Sequence, residues 1–122
     1  MINVTPEEIE EYLVCLKEII QNNGKVIIKR DRNKNFIFAY LYNYDDKAIK
    51  NQLLKIKNSD FEECLLSTEP NHQGDKLYVW TPSVLLTAAD GESEMNKLYI
   101  KTHIDEKNRL TVISFHRYND FS

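Results

Sequence analysis

Residues 98–116, LYIKTHIDEKNRLTVISFH, decide how this chain folds. Two runs rich in β-branched and aromatic residues flank Asp105-Glu106-Lys107-Asn108, a polar stretch suited to a turn. The spacing predicts an antiparallel hairpin of Leu98–Ile104 and Leu110–Phe115. Side chains alternate across a strand, so Leu98, Ile100, Thr102 and Ile104 share one face, and Tyr99, Lys101 and His103 the other. With residues 105–108 as the loop, Ile104 pairs with Arg109, Tyr99 with Ser114 and Lys101 with Val112. That register turns Leu98, Ile100, Ile104, Ile113 and Phe115 inward. Outside it gathers Tyr99, Lys101, Ser114 and His116. A slip of one residue would mix the apolar set with the polar one, which burial disfavours.

Ahead of the hairpin, Lys76–Trp80 and Val84–Ala88 read as strands, with a turn at Asp90-Gly91. The N-terminal half is helical. Thr5 can cap a helix that has Pro6 in its first turn and Glu8 placed for a capping box. Ile9, Tyr12, Leu13, Leu16, Ile19 and Ile20 then make one apolar stripe, and Gly24 is the expected left-handed stop. Val26-Ile27-Ile28 reads as a short strand. Phe36–Tyr42 fits either state: its aromatic content favours a strand, its flanks a helix from near Asp31 to Asn43. Asp45 looks like the N-cap of a further helix that buries Ile49, Leu53, Leu54 and Ile56. Helices followed by strands with short connections predict an α+β domain, with N-terminal helices on a small twisted antiparallel sheet. At 122 residues the chain suits one such domain, spanning residues 1–122.

Composition narrows the function classes. The 42% hydrophobic and 29% charged content suits a globular protein. No apolar run approaches the ~20 residues of a membrane span. A polar start after Met1 predicts no signal peptide, so a cytoplasmic protein without membrane contact is expected. Cys15 and Cys64 form no C-x-x-C pair, and His72, His103 and His116 no H-x-x-H pair, so neither a zinc site nor any other cofactor is expected. A net charge of −3 disfavours binding nucleic acid through total charge alone. The charge is unevenly spread, however. Lys25–Lys57 holds nine Lys/Arg against three Asp, whereas Asp60–Glu106 holds ten acids against three Lys. The basic segment is either a phosphate-facing patch or a set of solvated helix faces.

A phenol, an ammonium and an imidazole on one sheet face suit cleavage of RNA without a metal. A base must take the 2′-hydroxyl proton, an acid must protonate the leaving 5′-oxygen, and cationic donors must stabilise the phosphate. His116 can carry the proton near neutral pH, Lys101 can hold the phosphate, and Tyr99 can donate a hydrogen bond or stack on a base. Such residues also occur on exposed sheet faces without any catalytic role. His103 reads as a surface residue, and Arg117 and Tyr118 as the end of the strand.

Several segments together resemble the MqsR family of type II toxin–antitoxin toxins. These are Gly24-Lys25-Val26, Ser59-Asp60-Phe61, the aromatic strand ending in Pro82, Leu98-Tyr99-Ile100-Lys101 and Val112-Ile113-Ser114-Phe115. The likeness runs from about Leu16 to Tyr118, and the Tyr-x-Lys and Val-x-Ser-Phe strands are its most telling part. It implies a RelE-like fold, endoribonuclease activity on single-stranded mRNA without a metal cofactor, and neutralisation by a cognate antitoxin protein. Tyr99 stands at the family's active-site tyrosine, and His116 where the best-known branch has a functional lysine. Lys101 matches the Tyr-x-Lys pattern and completes the candidate catalytic trio. Arg117, Ser114 and His72, the last in Glu69-Pro70-Asn71-His72, are the candidate substrate contacts. Glu63 replaces a lysine of that branch, and a glutamine becomes apolar near Leu77. A non-catalytic protein-binding module of the same fold, or a nucleic-acid binder using Lys25–Lys57, are the competing functions.

Overall fold

Three helices and six strands make up the computed structural model, which describes residues 2–120. They run α1 (Pro6–Gln21), β1 (Val26–Ile28), α2 (Asn33–Tyr42), α3 (Asp46–Leu54), β2 (Phe61–Leu66), β3 (Lys76–Trp80), β4 (Ser83–Thr87), β5 (Ser93–Ile104) and β6 (Leu110–Arg117). The sheet order is β1-β6-β5-β3-β2, with β4 paired to the first half of β5. The α+β class is as expected. The sheet is mixed rather than purely antiparallel, because β1 runs parallel to β6.

The helix boundaries follow local chemistry. Thr5 Oγ1 accepts the Glu8 amide at 3.1 Å, and Asp45 accepts the Ala48 amide at 2.8 Å, so both expected N-caps form. Asn43 closes α2 in the left-handed conformation, φ 54°. At the end of α1 the left-handed residue is Asn23, φ 56°, and not Gly24. Gly24 is needed for closeness instead: its amide lies 2.7 Å from the Ile19 carbonyl, and a Cβ there would sit 2.9 Å from the same oxygen.

The main core lies between α1, α3 and one face of the sheet. Leu13, Leu16, Ile49 and Leu53 are buried with Trp80, Leu98, Ile100, Leu110, Val112 and Phe115. Tyr12 stacks on Tyr78 with ring centroids 3.7 Å apart. Its hydroxyl reaches Thr102 Oγ1 at 2.8 Å, which also accepts Trp80 Nε1–H at 3.2 Å and donates to the Tyr78 carbonyl at 3.3 Å. A threonine on an otherwise apolar face is thereby fully satisfied. Burial pushes the Tyr12 phenol far above its ordinary pKa, so it remains protonated as a donor.

The hairpin itself departs from the expected register. Ile104 pairs with Leu110, not Arg109, and the connection spans residues 105–109. Asp105 closes it by accepting the Lys107 and Arg109 amides at 2.9 Å, while Asn108 turns left-handed at φ 57°. Leu110 and Val112 therefore face the core, and Thr111 the other side. Lys101 pairs with Ser114 and Thr102 with Val112, leaving Ile113 as a bulge. The strand holds two apolar sets of opposite parity, Leu110/Val112 and Phe115, and one extra residue lets both face inward. Beyond the bulge, Ser114 and His116 emerge on the expected face by a different route.

Candidate active site

Tyr99 pairs with His116 and Lys101 with Ser114, so four expected residues lie together on the face away from α1. The Tyr99 and His116 rings stack at 5.5 Å and 18°, and Lys101 Nζ lies 6.0 Å from the Tyr99 ring centre. Tyr118 continues the aromatic band at 6.2 Å from Tyr99, with Lys97 Nζ 4.5 Å over its own ring. His116 Nδ1–H donates to the Arg117 carbonyl at 2.9 Å. That bond fixes the neutral tautomer and leaves Nε2 to exchange protons.

The α2 N-terminus completes the site, and one residue puts it there. β1 stops pairing after Ile28 and Lys29, leaving the edge of β6 open at Ile113 and Phe115. Asn35, 6% exposed, fills that gap. Its Nδ2 donates to the Lys29 and Ile113 carbonyls at 2.8 Å each, and its Oδ1 accepts the Phe115 amide at 2.9 Å. The side-chain amide thus stands in for a ladder partner beside the bulge. Phe38, one turn on, packs edge-to-face on Phe115 at 5.6 Å and seats the rest of the helix.

This anchoring brings Arg32 and Lys34 alongside Lys101, Ser114 and His116 around a cleft of about 230 Å³. Among the described residues Arg32 forms no ion pair, and α2 has no side-chain cap at its N-terminus. Converging cations at a helix N-terminus suit a phosphate. A larger open depression of about 460 Å³ runs along α1, but Glu7, Glu10, Glu11 and Glu18 line it and would repel an anion.

Burial and charge tune the groups. Burial lowers the His116 pKa, with Lys34 and Arg32 adding to the effect while the Arg117 carbonyl and Asp120 oppose it. Burial also lowers the Lys101 pKa; the Arg32 charge reinforces this and Glu63 resists it. Burial raises Tyr99, and the nearby Glu63 carboxylate raises it further, so the phenol keeps its proton. Around neutral pH the site therefore offers a neutral imidazole that accepts, a phenol that donates, and fixed positive charge.

Two expected contacts are not brought to the cleft. Arg117 pairs with Leu98 and so faces the core side, where it bonds Asp120 at 3.0 Å and the Tyr42 hydroxyl at 3.2 Å. Only its carbonyl serves the site. His72 lies towards the far end of the same face, 3.4 Å from Asp75, which is also 3.4 Å from His103. His103 is correspondingly less exposed than a plain surface residue, its Nδ1–H donating to the Lys76 carbonyl at 2.9 Å.

Sequence reasoning missed Arg32, Lys34 and Asn35 as individuals, because only the excess of cations in Lys25–Lys57 pointed to them. Glu63 stood out in the sequence only as the replacement of a lysine. β2 pairs with β3 so that Glu63, Val79, Lys101 and Ser114 form one row across four strands. Among the described residues no group of three or more His, Cys, Asp or Glu side chains is placed to hold a metal ion. Nor is any helix among them long and apolar enough to cross a membrane. Comparison with family models, curated proteins and solved structures finds no match to this chain.

Proposed function

We propose that this chain is a metal-independent endoribonuclease that cleaves single-stranded mRNA, a cytoplasmic toxin of the MqsR kind with a RelE-like fold. The observation that carries this reading is the stacked Tyr99–His116 pair beside Lys101, with Arg32 and Lys34 closing the cleft. Attack of a ribose 2′-hydroxyl on its own phosphate needs a proton carrier, a donor and positive charge within one phosphate's reach. His116 exchanges the proton through Nε2. Lys101, Arg32 and Lys34 hold the phosphate oxygens. Tyr99, only 3% exposed, positions His116 by stacking.

The test is incubation of purified protein with single-stranded RNA in excess EDTA. The reading predicts products ending in a 2′,3′-cyclic phosphate. It further predicts loss of about 10²-fold or more in rate for His116→Ala, and a comparable loss for Lys101→Met, with folding intact. Intact RNA with folded wild-type protein would defeat it.

A second reading draws on α2. Its outer face carries Phe36, Ile37, Tyr40 and Leu41, of which Phe36 is 60% and Tyr40 79% exposed. A helix that is apolar all round ordinarily has both faces covered. This favours a protein-binding surface, which serves either a non-catalytic interaction module or docking of a cognate antitoxin on the toxin. Intact RNA with folded wild-type protein, together with complex formation abolished by Tyr40→Asp, would select the non-catalytic module.

A further inference from the structure

The face that carries Tyr99 and Lys101 does not end at the cleft. β3 and β4 meet β5 in one unbroken register, with Trp80 opposite Ile100 and Ser83 opposite Lys97. Alternation along β5 therefore runs straight through Leu98 into its first half. Lys97 and Met95 share the face of Tyr99 and Lys101, and Leu85 joins them as the direct partner of Met95. Six residues of β5, about 20 Å, separate Met95 from Lys101. The other face of this β4–β5 arm is seated on the body of the domain: Leu86, 2% exposed, lies in the core and Val84 packs against it.

What the arm presents on the cleft side is apolar and cationic. Leu85 and Met95 are each 61% exposed, although they lie directly opposite one another. Lys97 is exposed and forms no ion pair among the described residues. Its Nζ lies 4.5 Å over the Tyr118 ring, which is in turn 6.2 Å from Tyr99. Tyr118 follows Arg117, the partner of Leu98, and so continues the line of β6 alongside Lys97. The acids of the arm are segregated from this strip. Glu94 pairs with buried Leu86 and so belongs to the opposite face, and Asp90 and Glu92 lie in the turn beyond Thr87 and Ser93. From Tyr99 to Met95, the cleft-side residues of β4 and β5 include no carboxylate. Cations for phosphates beside apolar surface for bases are the means by which proteins hold a single strand.

We propose that the β4–β5 arm is a second subsite for the RNA strand, in which Leu85 and Met95 seat a base and Lys97 holds a phosphate between that base and the cleft. This assignment rests on the ribonuclease reading, which places the scissile phosphate at Lys101, Arg32 and Lys34. The strand then runs along β5, past Tyr118, on one side of the cut. Apolar side chains take any base by its face, so the arm responds to the length of the strand and not to its sequence. Asp90 and Glu92 end the track, because they repel a further phosphate at the turn.

The test is binding, by fluorescence anisotropy, of random-sequence 2′-deoxy oligonucleotides of about three and about eight nucleotides. The proteins are wild type, Leu85→Ser/Met95→Ser, Lys97→Met and a control, Leu66→Ser, whose side chain is 55% exposed on β2. Each is checked for folding by circular dichroism. Wild type should gain affinity on lengthening, and the double variant should lose about fivefold or more of that gain. Lys97→Met should reduce the slope of log affinity against log salt for the longer strand by about 0.7, the share of one phosphate contact. Leu66→Ser should keep both the gain and the slope. The single variants Leu85→Ser and Met95→Ser decide the matter if the double variant does not fold. A gain in the double variant equal to that of wild type, or an unchanged slope in Lys97→Met, would overturn the assignment and leave the exposed pair to a protein partner. Because the deoxy strand cannot be cleaved, this result is independent of catalysis. Intact RNA with wild-type protein would defeat the ribonuclease reading, whereas the length gain and its loss in the variants judge the arm alone.

Discussion

Replacing Asn35 with alanine removes the residue that joins α2 to the edge of the sheet, and its cost can be worked from three hydrogen bonds. The Lys29 and Ile113 carbonyls lose donors at 2.8 Å, and the Phe115 amide loses its acceptor at 2.9 Å. A buried backbone group left unpaired costs about 1–3 kcal/mol, and water reaching the sheet edge recovers part of that for the carbonyls. The expected loss is therefore about 3 kcal/mol, which at this chain length lowers Tm by roughly 9–15 °C. Urea titration and calorimetry measure it directly. Amide hydrogen exchange adds a local readout, since Phe115 should lose protection before the strand as a whole opens. Asn35→Asp separates donor from acceptor. It keeps the acceptor for Phe115 but removes both donors, so it should destabilise as much as alanine near neutral pH and recover as the carboxyl regains its proton. A loss below about 1 kcal/mol for Asn35→Ala would refute the claim that this side chain stands in for a strand.

Other consequences are equally direct. Thr102→Val keeps shape but leaves Tyr12, Trp80 and the Tyr78 carbonyl without their shared hydroxyl, so unfolding free energy should fall by about 2 kcal/mol in urea titration. Gly24→Ala would press a methyl to 2.9 Å from Ile19 Cγ2 and its carbonyl oxygen, and a loss of about 1–3 kcal/mol in Tm-based stability is expected. The His116 imidazole has a folded pKa below its ordinary value, so between the two the unfolded chain binds more protons. Its contribution to stability is complete above the ordinary histidine pKa and is lost as pH falls through the folded value. Between about pH 7.5 and about pH 5, wild type should lose more stability than His116→Gln, and equal losses would contradict the burial of that ring.

The first and third helices and the polar face of the hairpin were legible because each rests on short-range rules, whereas Phe36–Tyr42, which fitted either state, is helical as part of α2. Thr5 and Asp45 cap as their positions suggest, and Asn43 takes the left-handed turn expected of it. Alternation along β5 alone placed Tyr99 and Lys101 correctly. The register was not legible, because it depends on a turn closed by Asp105 and on a bulge that reconciles Leu110/Val112 with Phe115. β2 escaped detection for a similar reason: a register shift between Phe61 and Glu63 breaks the alternation in FEECLL. The Ser93–Lys97 half of β5 pairs only with β4 and is polar throughout apart from an exposed Met95, so it carries no burial signal. The missing part of the site came from α2, whose approach to β6 is set by Asn35, and a single amide contact 78 and 80 positions away in sequence leaves no local trace.

The most direct measurement is an NMR titration of the labelled protein with a 2′-deoxy oligonucleotide, which binds a phosphate site but cannot be cleaved. The account predicts shifts for His116, Tyr99 and the Arg32 and Lys34 amides that weaken steeply as salt rises, with His72 and His103 little moved. Shifts confined to the His72–His103 end, or none at these four residues, would contradict it.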